Sequence, residues 1–340
     1  MKALKRFRKL LSVISAAALT VTAATAACVG ANAVVIISDD NFEYTYSDNA
    51  WQLYSYIGSD TVVTLPDSYA GMPVNGVLSE CFAQSGVTSV TIPDSYQFIG
   101  SYAFYNCSEL KTVSFPSTLS SIGMGAFAQS GVESADLSET KLDTISSYTF
   151  QDCAALTEVE LPASTKTIGI NAFARSGLDE IVLPYGVTVL GDGCFTDSAL
   201  TYAELPESLT TIGADAFRND TALTELYIPD SVTSIGAYAL YPMSVRGTLS
   251  VTYFEDSYAD EYCYENFVTS TRSYQKIMGD SNLDGSVDIN DATVIQRHCA
   301  GIEHLSQPGK ATADADRDGK ITVNDATTVQ KHLAGYQVFL

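Results

Sequence analysis

Two stretches near the C-terminal end place oxygen-bearing side chains at alternating positions. The first reads Asp280-Ser-Asn282-Leu-Asp284-Gly285-Ser286-Val-Asp288-Ile-Asn-Asp291. The second, Asp314-Ala-Asp316-Arg-Asp318-Gly319-Lys320-Ile-Thr322-Val-Asn-Asp325, repeats it 34 residues later. Side chains at positions one, three, five, nine and twelve supply oxygens, with Thr322 acting through a water. Ser286 and Lys320 at position seven contribute their main-chain carbonyls, and glycine at position six permits the sharp turn. A hard cation needs such a cluster of oxygens, and neither loop offers a nitrogen or sulfur ligand. The spacing is that of a twelve-residue calcium loop, so two structural Ca2+ ions are expected. The last position is aspartate, where an EF-hand uses glutamate, and no helix of EF-hand length precedes either loop.

Each loop runs into a helix, Asp291-Ala-Thr-Val-Ile-Gln-Arg-His-Cys-Ala-Gly301 and Asp325-Ala-Thr-Thr-Val-Gln-Lys-His-Leu-Ala-Gly335. Val294, Ile295, Val329 and Leu333 are the expected apolar faces, and glycine ends both helices. This duplicated loop-helix unit, Gly279 to Gly335, resembles the type I dockerin modules of cellulosome-bearing bacteria. The resemblance implies a cohesin partner on a scaffoldin and a role in polysaccharide catabolism. It also implies contacts through Ile289, Asn290, Gln296 and Arg297 in the first copy, and Val323, Asn324, Gln330 and Lys331 in the second. The Ser-Thr pair familiar at the loop positions is absent here. Near-identity of the copies suggests a pseudo-twofold surface that binds in either orientation. A module with so few apolar residues should depend on its ions to fold. His298 and His332 occupy equivalent helix positions, where packing or partner contact is favoured over metal ligation. The apolar tail Tyr336–Leu340 is expected to fold back near Tyr274.

Upstream, three signatures recur in one phase. Apolar-proline pairs at Leu65, Ile92, Phe115, Leu161, Leu183, Leu205 and Ile228, with Leu137-Ser138 filling the gap, step by 22 to 24 residues after Pro93. An Ile-Gly or similar pair follows at Ile99, Ile122, Ile145, Ile168, Leu190, Ile212 and Ile235, and then Phe104, Phe127, Phe150, Phe173, Phe195 and Phe217, with Leu240 last. A unit such as Leu110–Phe115 reads as a short strand with one buried face, ended by proline. The phenylalanine then points inward from a tight turn or single helical turn. One unit cannot bury its apolar face, so the units must stack. Residues Thr61 to Leu240 resemble BspA-like leucine-rich repeats. The resemblance implies a right-handed, β-rich, parallel-sheet solenoid used for extracellular binding and adhesion, followed here by a small all-α module. Cys107 and Cys153 match the family's cysteine position and Cys81 and Cys194 its alanine position. All four are expected as buried free thiols acting as small hydrophobes.

The expected organisation is a signal peptide over 1–33, an N-terminal cap over 34–64, repeats over 65–250, a C-terminal cap over 251–268, a linker over 269–276 and the calcium module over 277–340. Lys2, Lys5, Arg6, Arg8 and Lys9 precede an apolar, small-residue run, and Ala31-Asn32-Ala33 is the expected cleavage site. Lipid attachment at Cys28 is disfavoured, because no apolar residue stands three before it. The run is too short and alanine-rich for a membrane anchor. Losing the five leader cations takes the formal charge from −22 to −27. Such a chain repels phosphates, so nucleic acid is excluded as a nonspecific partner. An exported protein, held at the cell surface through a scaffoldin, is expected. Phe42–Tyr54 reads as a hairpin cap, favoured over a sugar-stacking platform around Trp51. Ser257–Asn266 reads as a capping helix.

All three histidines, His298, His304 and His332, lie beyond the linker, which removes histidine-based triads and metal sites from the repeats. No Gly-rich phosphate loop or pocket-building insertion appears. The outward strand positions run Thr91, Ser114, Asp136, Glu160, Val182, Glu204 and Tyr227, flanked by Glu133, Glu158, Asp179, Glu180, Tyr202 and Glu225. Glu160, Tyr202, Glu204, Glu225 and Tyr227 are therefore the candidate ligand face, for a protein or plant cell-wall ligand. Against this stands a simple acidic, solvated surface. A noncatalytic binding protein is the favoured reading; a hydrolase or protease inhibitor on the same scaffold is the alternative.

Overall fold

A computed structural model describes residues 36–241, 249–266, 268, 271–336, 338 and 340. The signal segment, Cys28 and the expected cleavage site lie outside the described residues. The chain forms two compact units meeting at Leu178 and Asp179.

The first unit opens with the expected cap. Phe42–Ser47 and Ala50–Tyr56 pair antiparallel, and Asp48 and Asn49 take φ of 52° and 66° at the turn. Two left-handed residues give the turn a twist that matches the paired strands. Trp51 is fully buried, with its ring 5.1 Å from Tyr46 and 5.2 Å from Tyr69. It closes the end of the core and offers no sugar platform.

Parallel strands follow in register. Val63, Val90 and Val113 align in one sheet and Ala135 with Val159 in another. The Ile-Gly signature forms the second strand of each turn, as in Ile99 beside Ile122 and Ile145 beside Ile168. The glycine is needed for close approach. A Cβ on Gly123 would stand 2.4 Å from the amide nitrogen of Ser101, and one on Gly169 2.6 Å from that of Ser147. The phenylalanines form a continuous stack: centroids of Phe104, Phe127, Phe150 and Phe173 are 5.1, 5.6 and 5.5 Å apart, with planes within 10° of parallel. Offset parallel rings are a favourable arrangement for aromatic pairs.

The connection around each phenylalanine is a chain of turns, not a helical turn. Residues two before and two after it are left-handed, as at Tyr102 and Asn106 around Phe104 and at Tyr148 and Asp152 around Phe150. The backbone thus reverses twice per repeat, which an uninterrupted right-handed helix does not allow.

The second unit continues the pattern. Ile181 aligns with Ala203, Leu190 with Ile212, and Phe195 stacks on Phe217 at 5.4 Å. Its end is closed by strand Ser250–Phe254 and helix α1 (Tyr258–Glu265), whose N-cap is Ser257. Part of the expected linker is a strand: Thr271–Tyr274 pairs parallel with Val251–Phe254. Helices α2 (Ile289–Cys299), α3 (Gln307–Ala313) and α4 (Val323–Leu333) complete the unit. No helix among the described residues is long and apolar enough to cross a membrane.

All six described cysteines are free, with Cys299 the exposed one. Burial pushes the thiols of Cys81, Cys107, Cys153 and Cys194 up, Cys153 to about 11, so they stay unreactive at neutral pH. Cys107 and Cys153 each donate to a phenylalanine carbonyl one turn earlier, Phe82 and Phe127, at 3.0 Å. Three residues after Phe217 the same column holds Asp220, fully buried. Its Oδ1 accepts from the amide and hydroxyl of Ser198 at 2.7 and 2.8 Å, while Oδ2 has no partner. Burial pushes this carboxyl up to about 8, partly offset by the Ser198 bonds. The folded protein therefore holds Asp220 protonated at neutral pH. Because the folded value lies above that of an ordinary carboxylate, its contribution is complete below the ordinary carboxylate range and is lost as pH rises through about 8. Asp220→Asn, which mimics the protonated acid, is expected to flatten the fall in denaturation midpoint across that window; a midpoint tracking wild type at every pH would refute this.

Candidate functional site

The two expected calcium loops are built by the same hydrogen bonds. In the first, Asp280 Oδ1 accepts from Asp284 N at 3.1 Å and Oδ2 from Gly285 N at 2.9 Å. In the second, Asp314 Oδ1 accepts from Asp318 N at 3.0 Å and Oδ2 from Gly319 N at 2.9 Å. Position three bonds to the position-five amide in both, through Asn282 and Asp316. Position five accepts from the amide of position seven, Asp284 from Ser286 and Asp318 from Lys320. Left-handed residues recur at position four, Leu283 and Arg317, and at position six, where Gly285 and Gly319 have φ of 91° and 83°. These turns curl each loop around its first aspartate.

Position twelve has two jobs. Asp291 and Asp325 are fully buried. Each accepts from the position-three amide through Oδ1, at 3.1 Å in both loops. Each also accepts from the position-nine amide through Oδ2, at 2.8 and 2.7 Å. The second bond completes a capping box at the start of α2 and α4, with Asp288 and Thr322 as N-caps. The last candidate donor of each loop thus also anchors the following helix.

The donors fit a calcium ion. Oxygens bound to one Ca2+ at about 2.4 Å lie no more than about 4.8 Å apart. One carboxylate oxygen each from Asp314, Asp316 and Asp325 lies within 4.8 Å of the others. The first loop has Asn282 where the second has Asp316, so its matching oxygen is an amide carbonyl. Burial, opposed by the Gly285 and Asp284 amides, raises the Asp280 carboxyl, and the Asp291 and Asp284 carboxylates add to the rise. Asp316 is raised by desolvation and by the Asp325 and Asp318 carboxylates, while the Ser286 hydroxyl lowers Asp284. Crowded like charges of this kind are relieved by a divalent cation.

Helices α2 and α4 pack on each other through a small core: Ala292 and Ile295 from one, Ala326 and Val329 from the other, with Leu305, Ala313 and Ala315. Leu333, an expected face residue, is 42% exposed, and its counterpart Cys299 is exposed too. Alanines at the start of each helix take that place, because the N-terminal halves make the contact. Ile289, Asn290, Gln296 and Arg297, and Val323, Asn324, Gln330 and Lys331, are all exposed. His298 accepts from Leu305 N at 3.4 Å. The end of the tail returns to the start of the module: Leu340 packs beside Gly279 and the core, and its carbonyl accepts from Arg317.

On the repeats, Glu160 and Glu225 are exposed as expected. Tyr227 is not: it is 5% exposed, with its ring against Phe254 and its hydroxyl donating to Glu207 at 2.9 Å. The closing strand Ser250–Phe254 covers it, so it leaves the candidate face. Tyr202 and Glu204 meet α3. Tyr202 Oη donates to Glu204 at 2.8 Å and accepts from Gln307 Nε2 at 3.0 Å, and Lys310 Nζ pairs with Glu204 at 2.7 Å. Burial, and the hydrogen bond to Glu204, raise the Tyr202 phenol to about 12.

Comparison with known families matches six copies of the BspA type Leucine rich repeat region over 76–200 and 143–270. The chain belongs to that family. Residues 278–334 match the Dockerin type I domain, and the paired loops are therefore those of a dockerin. A leucine rich cell surface protein from Faecalibacterium prausnitzii A2-165 is similar at 23% identity, covering 65% of this chain and 77% of its own, with a TM-score of 0.44. A T. pallidum Leucine Rich Repeat protein is 21% identical over 68% of this chain and 95% of its own, with a TM-score of 0.43. The pneumococcal vaccine antigen PcpA is 19% identical over 64% and 81%, with a TM-score of 0.44. No curated protein matches the chain.

Proposed function

We propose that this dockerin-bearing repeat protein is an exported, noncatalytic binding component. Its dockerin, held by two structural calcium ions, docks on a cohesin of a scaffoldin, and its repeat face recognises a protein or a plant cell-wall ligand. The observation that carries the reading is the doubling of one site: identical loop bonds, equivalent helix anchors and equivalent exposed residues 34 positions apart. Asp280, Asn282, Asp284, Ser286, Asp288 and Asp291 hold the first ion, and Asp314, Asp316, Asp318, Lys320, Thr322 and Asp325 the second. When bound, calcium neutralises the crowded carboxylates and fixes the loops; the chain's own residues do the recognising.

Two equivalent faces predict redundancy. Alanine at Gln296 and Arg297 alone should leave cohesin affinity within about threefold, since the module turns over and presents Gln330 and Lys331. Alanine at all four should weaken it by at least about a hundredfold, as expected for removing the central contacts of an interface. Surface plasmon resonance on an immobilised type I cohesin reads both. Full binding by the fourfold variant would refute the assignment. For the repeats, Glu160, Glu225 and the 37%-exposed Tyr202 remain exposed on the candidate ligand face, while Glu204 is engaged by Lys310. Screening residues 34–268 against polysaccharides and against host and microbial proteins tests that half, and turnover of any substrate would contradict the noncatalytic reading.

A further inference from the structure

Helix α3 lies between the two calcium loops and is tied to the first residue of each. Its C-terminal end runs directly into Asp314, which serves as its C-cap. Thr312 Oγ1 donates to the Asp280 carbonyl at 2.6 Å, and Gly279 N donates to the Thr312 carbonyl at 2.8 Å. Gly309 sits so close to the first loop that a Cβ there would stand 2.7 Å from the Ser281 carbonyl. The helix cannot shift without disturbing both loops.

The other side of α3 rests on the repeats. Gln307 Nε2 donates to Tyr202 Oη and, at 3.3 Å, to the Ala203 carbonyl. Lys310 bonds Glu204, and both partners are half-buried, with side-chain exposures of 32% and 26%. Just before the first loop, Lys276 pairs with Asp230 at 2.9 Å and lies 5.6 Å over the Phe254 ring. A cleft of about 1020 Å3 runs along the contact, with Glu207 and Asp230 on its repeat side and Arg317 and Lys320 on its module side. Four of the chain's 18 basic residues, Lys276, Lys310, Arg317 and Lys320, thus face its acidic repeat surface here. The contacts of Gln307 and Lys310 make α3 of the same chain the occupant of that surface, and the charge match suits it.

We propose that calcium controls access to the Tyr202–Glu204 surface of the repeats. With the loops loaded, α3 is fixed as a strut and covers that surface; when the ions leave, α3 loses its footing and the surface opens. The proposal rests on the calcium reading above. Cohesin would not compete with this contact, because the exposed recognition residues belong to α2 and α4. By linkage, docking must also strengthen calcium binding by the factor with which calcium favours docking.

The test is carbodiimide labelling of Glu204 in the full mature chain, with the exposed Glu160 as internal reference and bound calcium counted by native mass spectrometry. Removing calcium, by chelation and desalting, should speed Glu204 labelling at least about threefold while Glu160 stays constant. Lys310→Glu in calcium should speed it similarly, the scale expected for losing one partly exposed ion pair, and should weaken calcium binding measurably. If the ions leave and Glu204 labelling does not change, the proposal is overturned. If no ions are bound at the start, the calcium reading fails instead, and Lys310→Glu then decides whether α3 covers Glu204 at all: unchanged labelling in that variant overturns the docking.

Discussion

Converting Asp291 and Asp325 together to alanine is expected to unfold the dockerin and abolish cohesin capture. Each carboxylate anchors a helix start and accepts from two backbone amides, and in the proposed function it is also a calcium donor. Removing one leaves partly buried N–H groups unpaired, at about 1–3 kcal/mol each. The core that must absorb this loss consists of seven small or medium side chains, and marginal domains of this size are lost to penalties of a few kcal/mol. Far-UV circular dichroism of the full chain should show no calcium-dependent gain in helix. Asp288→Ala, which removes an N-cap and one candidate donor but no helix-anchoring carboxylate, should cost about 0.5–2 kcal/mol and leave a calcium response. If the double variant responded to calcium as wild type does, position twelve would not be a ligand.

Phe150→Ala should produce the largest loss in the repeats. The ring is fully buried and stacked between Phe127 and Phe173, with planes 10° from each. A Phe-to-Ala change in a packed core costs about 3–5 kcal/mol. Repeats support only their neighbours, so the cost cannot be spread over the array. Guanidinium unfolding should show a midpoint shift of that size in the transition assigned to the first unit. A shift below about 1 kcal/mol would mean that the stack is not the source of repeat cohesion.

Features with a short sequence period were legible. The apolar-proline, Ile-Gly and phenylalanine signatures carried the strand order, and the paired loop-helix units of the dockerin were visible as a 34-residue repeat, because these elements rest on local spacing. What escaped depends on groups distant in the chain. Gln307 and Lys310 look like ordinary surface residues; their partners Tyr202 and Glu204 lie more than 100 positions away. Tyr227 occupies an outward column by pattern, yet a closing strand covers it. Thr271–Tyr274 has a polar composition suited to a linker, but Thr and Tyr favour strands and an open sheet edge was present. Asp220 had a local signal: it stands in the column of Cys107 and Cys153, where a charged residue must be buried. The left-handed residues flanking each phenylalanine had a partial signal: Gly125, Gly193, Asn106, Asn171 and Asn219 suit a positive φ, whereas Tyr102, Gln129, Tyr148 and Arg175 do not announce one.

The central claim is that calcium builds the cohesin-binding surface. Titration calorimetry of a type I cohesin into the mature chain tests it most directly, run with calcium, after full chelation and after calcium is restored, with helicity followed in parallel. The expected result is tight binding that disappears with the helical signal on chelation and returns with it. Cohesin binding that survives complete removal of calcium would contradict the account.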